Sequence, residues 1–275
     1  MATARSEELR ALAQRVADAL PSSVLEVVLT GSVSRGVADD VSDIEMLVVP
    51  AEQLELEEAY ALARAAGLEG LDTWGSQGTP VKRVSGYLDG EPLELIFWPR
   101  DYAAGSLDAL VAGEPSSSAD ALAHGVPLRT SGLLMQWQER LREYPDKLAS
   151  ARIEGAAERW GGFTPAGLLT VARPGDRLAT VEWLLDAAQR VLTIVYALNR
   201  VWEPTTKRLA ARVEPLAVKP PRLAERIEEA LNEPDPRRAL LTMTELQLET
   251  VELAPSGPNV DRARSWLAEA IEQFA

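Results

Sequence analysis

The residues best suited to chemistry lie between Val24 and Val49, in the stretch VLEVVLTGSVSRGVADDVSDIEMLVV. Val24, Leu25, Val27, Val28 and Leu29 form a short run rich in β-branched residues, which predicts a buried strand ending at Thr30-Gly31. Gly31 lets backbone approach a ligand closely, and Ser32 adds a hydroxyl beside backbone N–H groups, a combination suited to an anion. The chain re-enters the sheet over Asp43-Ile44-Glu45-Met46-Leu47-Val48-Val49. Alternation along a strand puts Asp43 and Glu45 on one face and Ile44 on the other. Two carboxylates side by side repel each other unless a cation sits between them, and a hard divalent ion with oxygen ligands is the natural candidate. An anion seat beside an acid pair predicts metal-bound phosphate.

A third acid stands further along. Residues 81–98, VKRVSGYLDGEPLELIFW, carry two strand-like runs around Asp89-Gly90, the preferred pair for a type I′ hairpin turn. On the second strand Leu93, Leu95 and Phe97 face one way, and Glu94, Ile96 and Trp98 the other. A carboxylate among apolar neighbours costs several kcal/mol or stays protonated if nothing compensates it. A metal shared with Asp43 and Glu45 would remove that penalty; an edge strand facing water is the alternative. Glu91 lies nearer the turn and is the weaker candidate.

Gly31-Ser32, then Asp43-Ile44-Glu45, then Leu93-Glu94-Leu95 resemble the nucleotidyltransferases of the polymerase-β type, with Glu45 standing where Asp is more usual. The motifs span roughly residues 20–100. The resemblance implies an α+β protein: a catalytic domain with a mixed sheet and flanking helices over residues 1–130, then an all-α domain over 131–275 that completes the nucleotide and substrate cleft. It implies Asp43 and Glu45 as ligands of a nucleotide-bound metal, and Glu94 as ligand of a second metal and acceptor of the hydroxyl proton. Gly31 and Ser32 would hold the β- and γ-phosphates, with Ser42 and Arg35 added to the nucleotide contacts. Arg35 could reach a phosphate, yet a lone loop arginine is more often solvated. After the long helix expected over 176–201 comes an Asn199-x3-Glu203-Pro204-x2-Lys207 arrangement, placed where antibiotic adenylyltransferases meet the nucleotide, and Lys207 suits a triphosphate. The implied activity is magnesium-dependent transfer of a nucleoside monophosphate, AMP from ATP in the first instance. The acceptor would be a hydroxyl of a small molecule of the aminoglycoside or lincosamide kind, and the acidic first half of the chain suits a cationic one. A protein or RNA acceptor, or a non-catalytic nucleotide-binding site, are the alternatives.

Composition narrows the field. The chain has 275 residues, 46% of them apolar and 25% charged, with no cysteine and one histidine. Disulfides and thiolate chemistry are thereby excluded, and any Ser-His mechanism would rest on His124, which reads as a structural or surface residue. No apolar run is long enough for a membrane span, and MATARSEELRALAQRV has no continuous apolar core of a signal peptide, so a cytoplasmic location is expected. Net charge is −14: residues 1–130 hold 21 acids against 9 Lys/Arg, residues 131–275 hold 21 against 19. Without a basic cluster, nucleic acid is an unlikely partner.

Helical spacing of Leu9, Leu12, Val16 and Leu20 predicts a helix over 6–20, capped by Ser6 and stopped at Pro21. A second helix is expected after Pro50, ending at Gly67, its acids forming a solvated face. Leu71 to Pro80 reads as turns carrying Trp74, Tyr102 to Ala112 as a helix, 113–118 as a loop, and 125–128 as a last short strand. Helices are expected over 133–144, 147–160, 176–201, 221–232, 237–253 and 259–273. Core packing is the better account of the tryptophans than an aromatic wall.

Overall fold

A computed structural model describes residues 2–76, 78–112, 118–158, 160 and 165–274. Of the loop expected over 113–118, residues 113–117 lie outside the described residues and Ser118 begins a helix. The chain divides into two compact units, Met1–Glu143 and Tyr144–Ala275.

The first unit is built in the order α1 (Ala4–Ala19), β1 (Val24–Leu29), α2 (Gly31–Ser34), β2 (Ile44–Pro50), α3 (Leu56–Ala65), β3 (Glu69–Asp72), β4 (Lys82–Leu88), β5 (Glu91–Phe97), α4 (Arg100–Ala112), α5 (Ser118–Ala123), β6 (Val126–Arg129) and α6 (Leu133–Arg142). The strands form one mixed sheet in the order β3-β4-β5-β2-β1-β6. β2 and β5 run parallel; β1 pairs antiparallel with β2 and with β6, and β4 antiparallel with β5 and β3. Alternation sorts the side chains. Val27, Leu29, Ile44, Met46, Val48, Leu93, Leu95 and Phe97 point to one face and are buried in a core with Leu9, Ala13 and Val16 of α1 and Ala59 and Ala63 of α3. At the Asp89-Gly90 turn both residues take positive φ, 53° and 87°, as a type I′ hairpin requires.

Two helix starts differ from the expected ones. Thr3, not Ser6, caps α1: its hydroxyl accepts the N–H of Ser6 at 3.1 Å and donates to the carbonyl of Ala38 at 2.9 Å. Ser6 is buried one turn later, where its hydroxyl accepts the N–H of Ala38 at 2.9 Å. α3 begins only at Leu56, because Glu55 and Glu58 form a reciprocal capping box. β3 overlaps the region read as turns; its residues are mostly exposed, so no alternation betrays it.

The second unit is helical: α7 (Asp146–Glu158), a 3₁₀ segment (Pro165–Ala172), α8 (Arg177–Leu198), α9 (Leu209–Val213), α10 (Leu223–Asn232), α11 (Pro236–Glu252) and α12 (Pro258–Phe274). α8 supplies the buried stripe Leu184, Val191, Ile194 and Val195, packed with Leu240, Met243, Leu246, Val260 and Leu267. Trp160 belongs to this core, and Trp137 is buried in the first unit. No described helix is long and apolar enough to cross a membrane.

Candidate active site

The turn after β1 is locked to the start of β2. Thr30 donates to the carbonyl of Glu45 twice, from its N–H at 2.9 Å and its hydroxyl at 3.2 Å. Gly31 follows at φ 69°, the left-handed region, and a Cβ placed on it would overlap the carboxylate of Glu45. Glycine is thus required twice over, by its backbone and by its neighbour. The carboxylate of Glu45 lies directly against the Gly31 backbone at the head of α2.

The Gly31 carbonyl is held in turn. It accepts the Ser34 hydroxyl at 3.1 Å and Nη1 of Arg35 at 3.2 Å. Nη2 of Arg35 reaches Asp120 on α5, meeting Oδ2 at 2.5 Å and the backbone carbonyl at 3.2 Å. This ion pair is largely buried, with side-chain exposures of 13% for Arg35 and 7% for Asp120. Arg35 is not a solvated loop residue: it braces α5 to the Gly31 turn. His124, one turn after Asp120, places Nδ1 at 3.0 Å from the Asp120 carbonyl and 3.2 Å from its Oδ1. The hydrogen bond to the Asp120 carboxylate raises the histidine above its ordinary pKa, against an opposing effect of burial. Neither Asp120 nor its role is marked by any local sequence pattern.

Ser42 closes the loop that leads to the acids. Its hydroxyl donates to Oδ1 of Asp39 at 2.8 Å and accepts the Asp39 N–H at 2.9 Å, and Ser42 itself is buried. Ser42, expected among the nucleotide contacts, closes this turn. Asp43 follows, half-buried, just before β2.

Register then brings two carboxylates together. Glu45 on β2 is the direct partner of Glu94 on β5, and Glu94 is the direct partner of Ser85 on β4. The three side chains form a row across adjacent strands, on the face opposite the α1–α3 core, with strands about 4.8 Å apart. All three are half-buried. Like charges directly opposite destabilise a sheet, and a cation bound between two such carboxylates offsets that cost. Among the described residues, no group of three or more His, Cys, Asp or Glu side chains is placed to hold a metal ion. Register sets Glu45 and Glu94 side by side on adjacent strands, and Asp43 lies two residues ahead of Glu45. Magnesium is commonly held by one or two carboxylates, with phosphates and water completing its shell, and the pair fits an ion of that kind.

Glu91 is accounted for elsewhere. Arg5 of α1 grips it with both guanidinium nitrogens, at 3.0 Å and 2.5 Å, and holds its carboxyl below the usual carboxylate range. In the second unit Asn199 and Glu203 have structural duties. Asn199 bridges the carbonyls of Val195 and Val218 at 2.8 and 2.7 Å, and Glu203 accepts the Thr193 hydroxyl at 3.0 Å as well as Gln189. Lys207 is exposed in a turn before α9.

Residues 121–209 match the model of a domain of unknown function, DUF4037. No curated protein matches the chain. Among solved structures, the chain is similar to a nucleotidyltransferase-like protein from Exiguobacterium sibiricum 255-15, with 11% identity, a TM-score of 0.40, and coverage of 98% of this chain and 90% of that one. It is also similar to Cid1 in complex with the UTP analog UMPNPP, with 13% identity, a TM-score of 0.30, and coverage of 98% and 78%. Similarity at this level assigns neither fold nor activity.

Proposed function

We propose that the first unit is a nucleotidyltransferase that moves a nucleoside monophosphate, AMP from ATP, onto a hydroxyl of a small molecule. The observation that carries this is the direct pairing of Glu45 with Glu94, with the Glu45 carboxylate seated against Gly31. Carboxylates and a small-residue anion seat on one sheet face are what phosphate chemistry at a divalent cation needs. Magnesium, when bound, would neutralise charge on the phosphates and on the departing oxygen.

The chain's own residues do the rest. Gly31 and Ser32 hold the β- and γ-phosphates, and the Arg35–Asp120 brace keeps their turn in place. Glu45 and Glu94, with Asp43 just ahead of Glu45, would hold the cation beside the nucleotide, and Glu94, which also faces the acceptor, takes its hydroxyl proton. The acceptor oxygen bonds to the α-phosphorus, the bond from that phosphorus to the bridging oxygen breaks, and pyrophosphate leaves with the electron pair. Positioning and charge compensation supply the acceleration, without a covalent enzyme intermediate.

The test is magnesium-dependent pyrophosphate release from ATP, screened over aminoglycosides, lincosamides, small metabolites, proteins and tRNA. Glu94→Gln is expected to lower release by on the order of 10²-fold or more with circular dichroism unchanged, and Asp43→Asn to lower it as well. Full activity in Glu94→Gln would overturn its role as base; full activity in both would overturn the site.

A further inference from the structure

Among the described residues, Arg83 on this face has no ionic partner. Arg83 lies on β4, two residues from Ser85 and therefore on the same side of the sheet as Glu94. Among the described residues its guanidinium makes no ion pair and no hydrogen bond; what it touches is the ring of Trp74, whose centroid is 4.7 Å away. Trp74 is 59% exposed, yet its loop is stitched to β4. The Thr73 hydroxyl donates to the Arg83 carbonyl at 2.6 Å and shares a hydrogen bond with Ser76 at 2.9 Å, and the Ser76 hydroxyl accepts the Arg83 N–H at 2.9 Å. A large apolar ring is thus held out in water with a guanidinium over it, 4.7 Å from its centroid.

Sheet order says what meets this pair. Gly31-Ser32 follows β1 on one side of the acids, and β4 lies on the other, since the strands run β4-β5-β2-β1. In an in-line displacement the attacking oxygen arrives opposite the departing one. Pyrophosphate leaving over Gly31-Ser32 therefore places the acceptor over β5 and β4, beside Arg83. A guanidinium is planar, and its N–H edge matches the paired oxygens of a carboxylate or phosphate. It would repel a polycation. With 42 acidic against 28 basic side chains, the chain disfavours a nucleic-acid strand.

We propose that Arg83, presented by Trp74, is the acceptor-recognition subsite, and that the acceptor is a small hydroxylated molecule carrying a carboxylate or phosphate group. This rests on the transferase assignment above, and it departs from the cationic acceptor that the resemblance implied.

The experiment reads the fluorescence of Trp74, taken as wild type minus Trp74→Phe, in the full chain titrated with glycerate, glycerol 3-phosphate, 3-amino-1,2-propanediol and a ten-nucleotide RNA. Saturable changes are expected with the two anions, their relative affinities separating carboxylate from phosphate, and none with the amine. Arg83→Ala should weaken both anions by about tenfold or more, and Arg83→Lys should restore part of the loss. An equal response to the amine, no response to either anion, anion binding unchanged in Arg83→Ala, or tighter binding of RNA than of both anions would each overturn the subsite. Pyrophosphate release by wild type is measured alongside. Its absence would count against the transferase assignment; its presence with a flat titration would count against the subsite alone.

Discussion

Glu26 and Glu45 project from the same face of one sheet, toward opposite ends of neighbouring strands, and the fold treats the two carboxylates in opposite ways. Glu26 is fully buried, and its Oε2 accepts the Ser131 N–H at 2.7 Å, the Ser131 hydroxyl at 3.0 Å and the Leu133 N–H at 3.3 Å. Its charge is absorbed by the N-terminus of α6, where backbone N–H groups lack helical partners. Glu45 instead lies beside the left-handed Gly31 and directly opposite Glu94. Around Glu26 the surroundings of β1 close: a Cβ on Gly125, which follows α5, would come within 2.6 Å of Val28. Around Glu45 the row Ser85–Glu94–Glu45 stays half-exposed. The same side chain serves as a structural cap at one end and as a candidate ligand at the other, and what separates the two is which groups the neighbouring elements supply.

Substitutions at each end should separate these roles. The largest effect is expected from Gly31→Ala, which strains a left-handed position by roughly 1–2 kcal/mol and pushes Glu45 aside. Displacing a positioned carboxylate should lower pyrophosphate release on the order of 10²-fold. Wild-type rates in a folded Gly31→Ala variant would show that the Glu45 contact is incidental.

Glu26→Ala should do the reverse. Urea denaturation is expected to show a loss of about 1–3 kcal/mol, because buried N–H groups lose their acceptor, while the rate of the folded fraction stays at the wild-type value. A collapse of rate without loss of stability would place Glu26 in the chemistry and erase the contrast between the two ends.

The smallest effect concerns the brace. Asp120→Asn should loosen Arg35 and raise the KM for ATP several-fold with little change in kcat. The single histidine supplies an independent readout by NMR. In wild type His124 should titrate above 6.5, and in Asp120→Asn its midpoint should fall toward that value. The sign follows from linkage: a raised folded pKa adds stability that is fully present below pH 6.5 and is lost as pH rises through the raised value. An unmoved midpoint would mean that Asp120 does not hold the imidazolium.

Much of this was legible in the residues themselves. Two-residue alternation placed Glu94 opposite the apolar side of β5, and Asp-Gly fixed the hairpin, because both are local consequences of strand geometry. The division of labour among polar residues was not. Arg35 and Asp120 are 85 positions apart, and Glu26 and Ser131 are 105 apart, so only tertiary structure reveals that one pair braces the site and the other ties α6 to the sheet. That second tie keeps α6 with the first unit, whereas composition alone placed the change after residue 130. Nor does sequence tell the turn-closing hydroxyl of Ser42 from one reserved for a nucleotide.

The central claim is that Glu45 and Glu94 act together on one divalent cation. Manganese binding, followed by electron paramagnetic resonance with a non-hydrolysable ATP analogue present, tests it most directly. One saturable site lost in Glu45→Gln and in Glu94→Gln, but kept in Glu26→Gln, is the expected result; binding that survives both of the first two changes would contradict it.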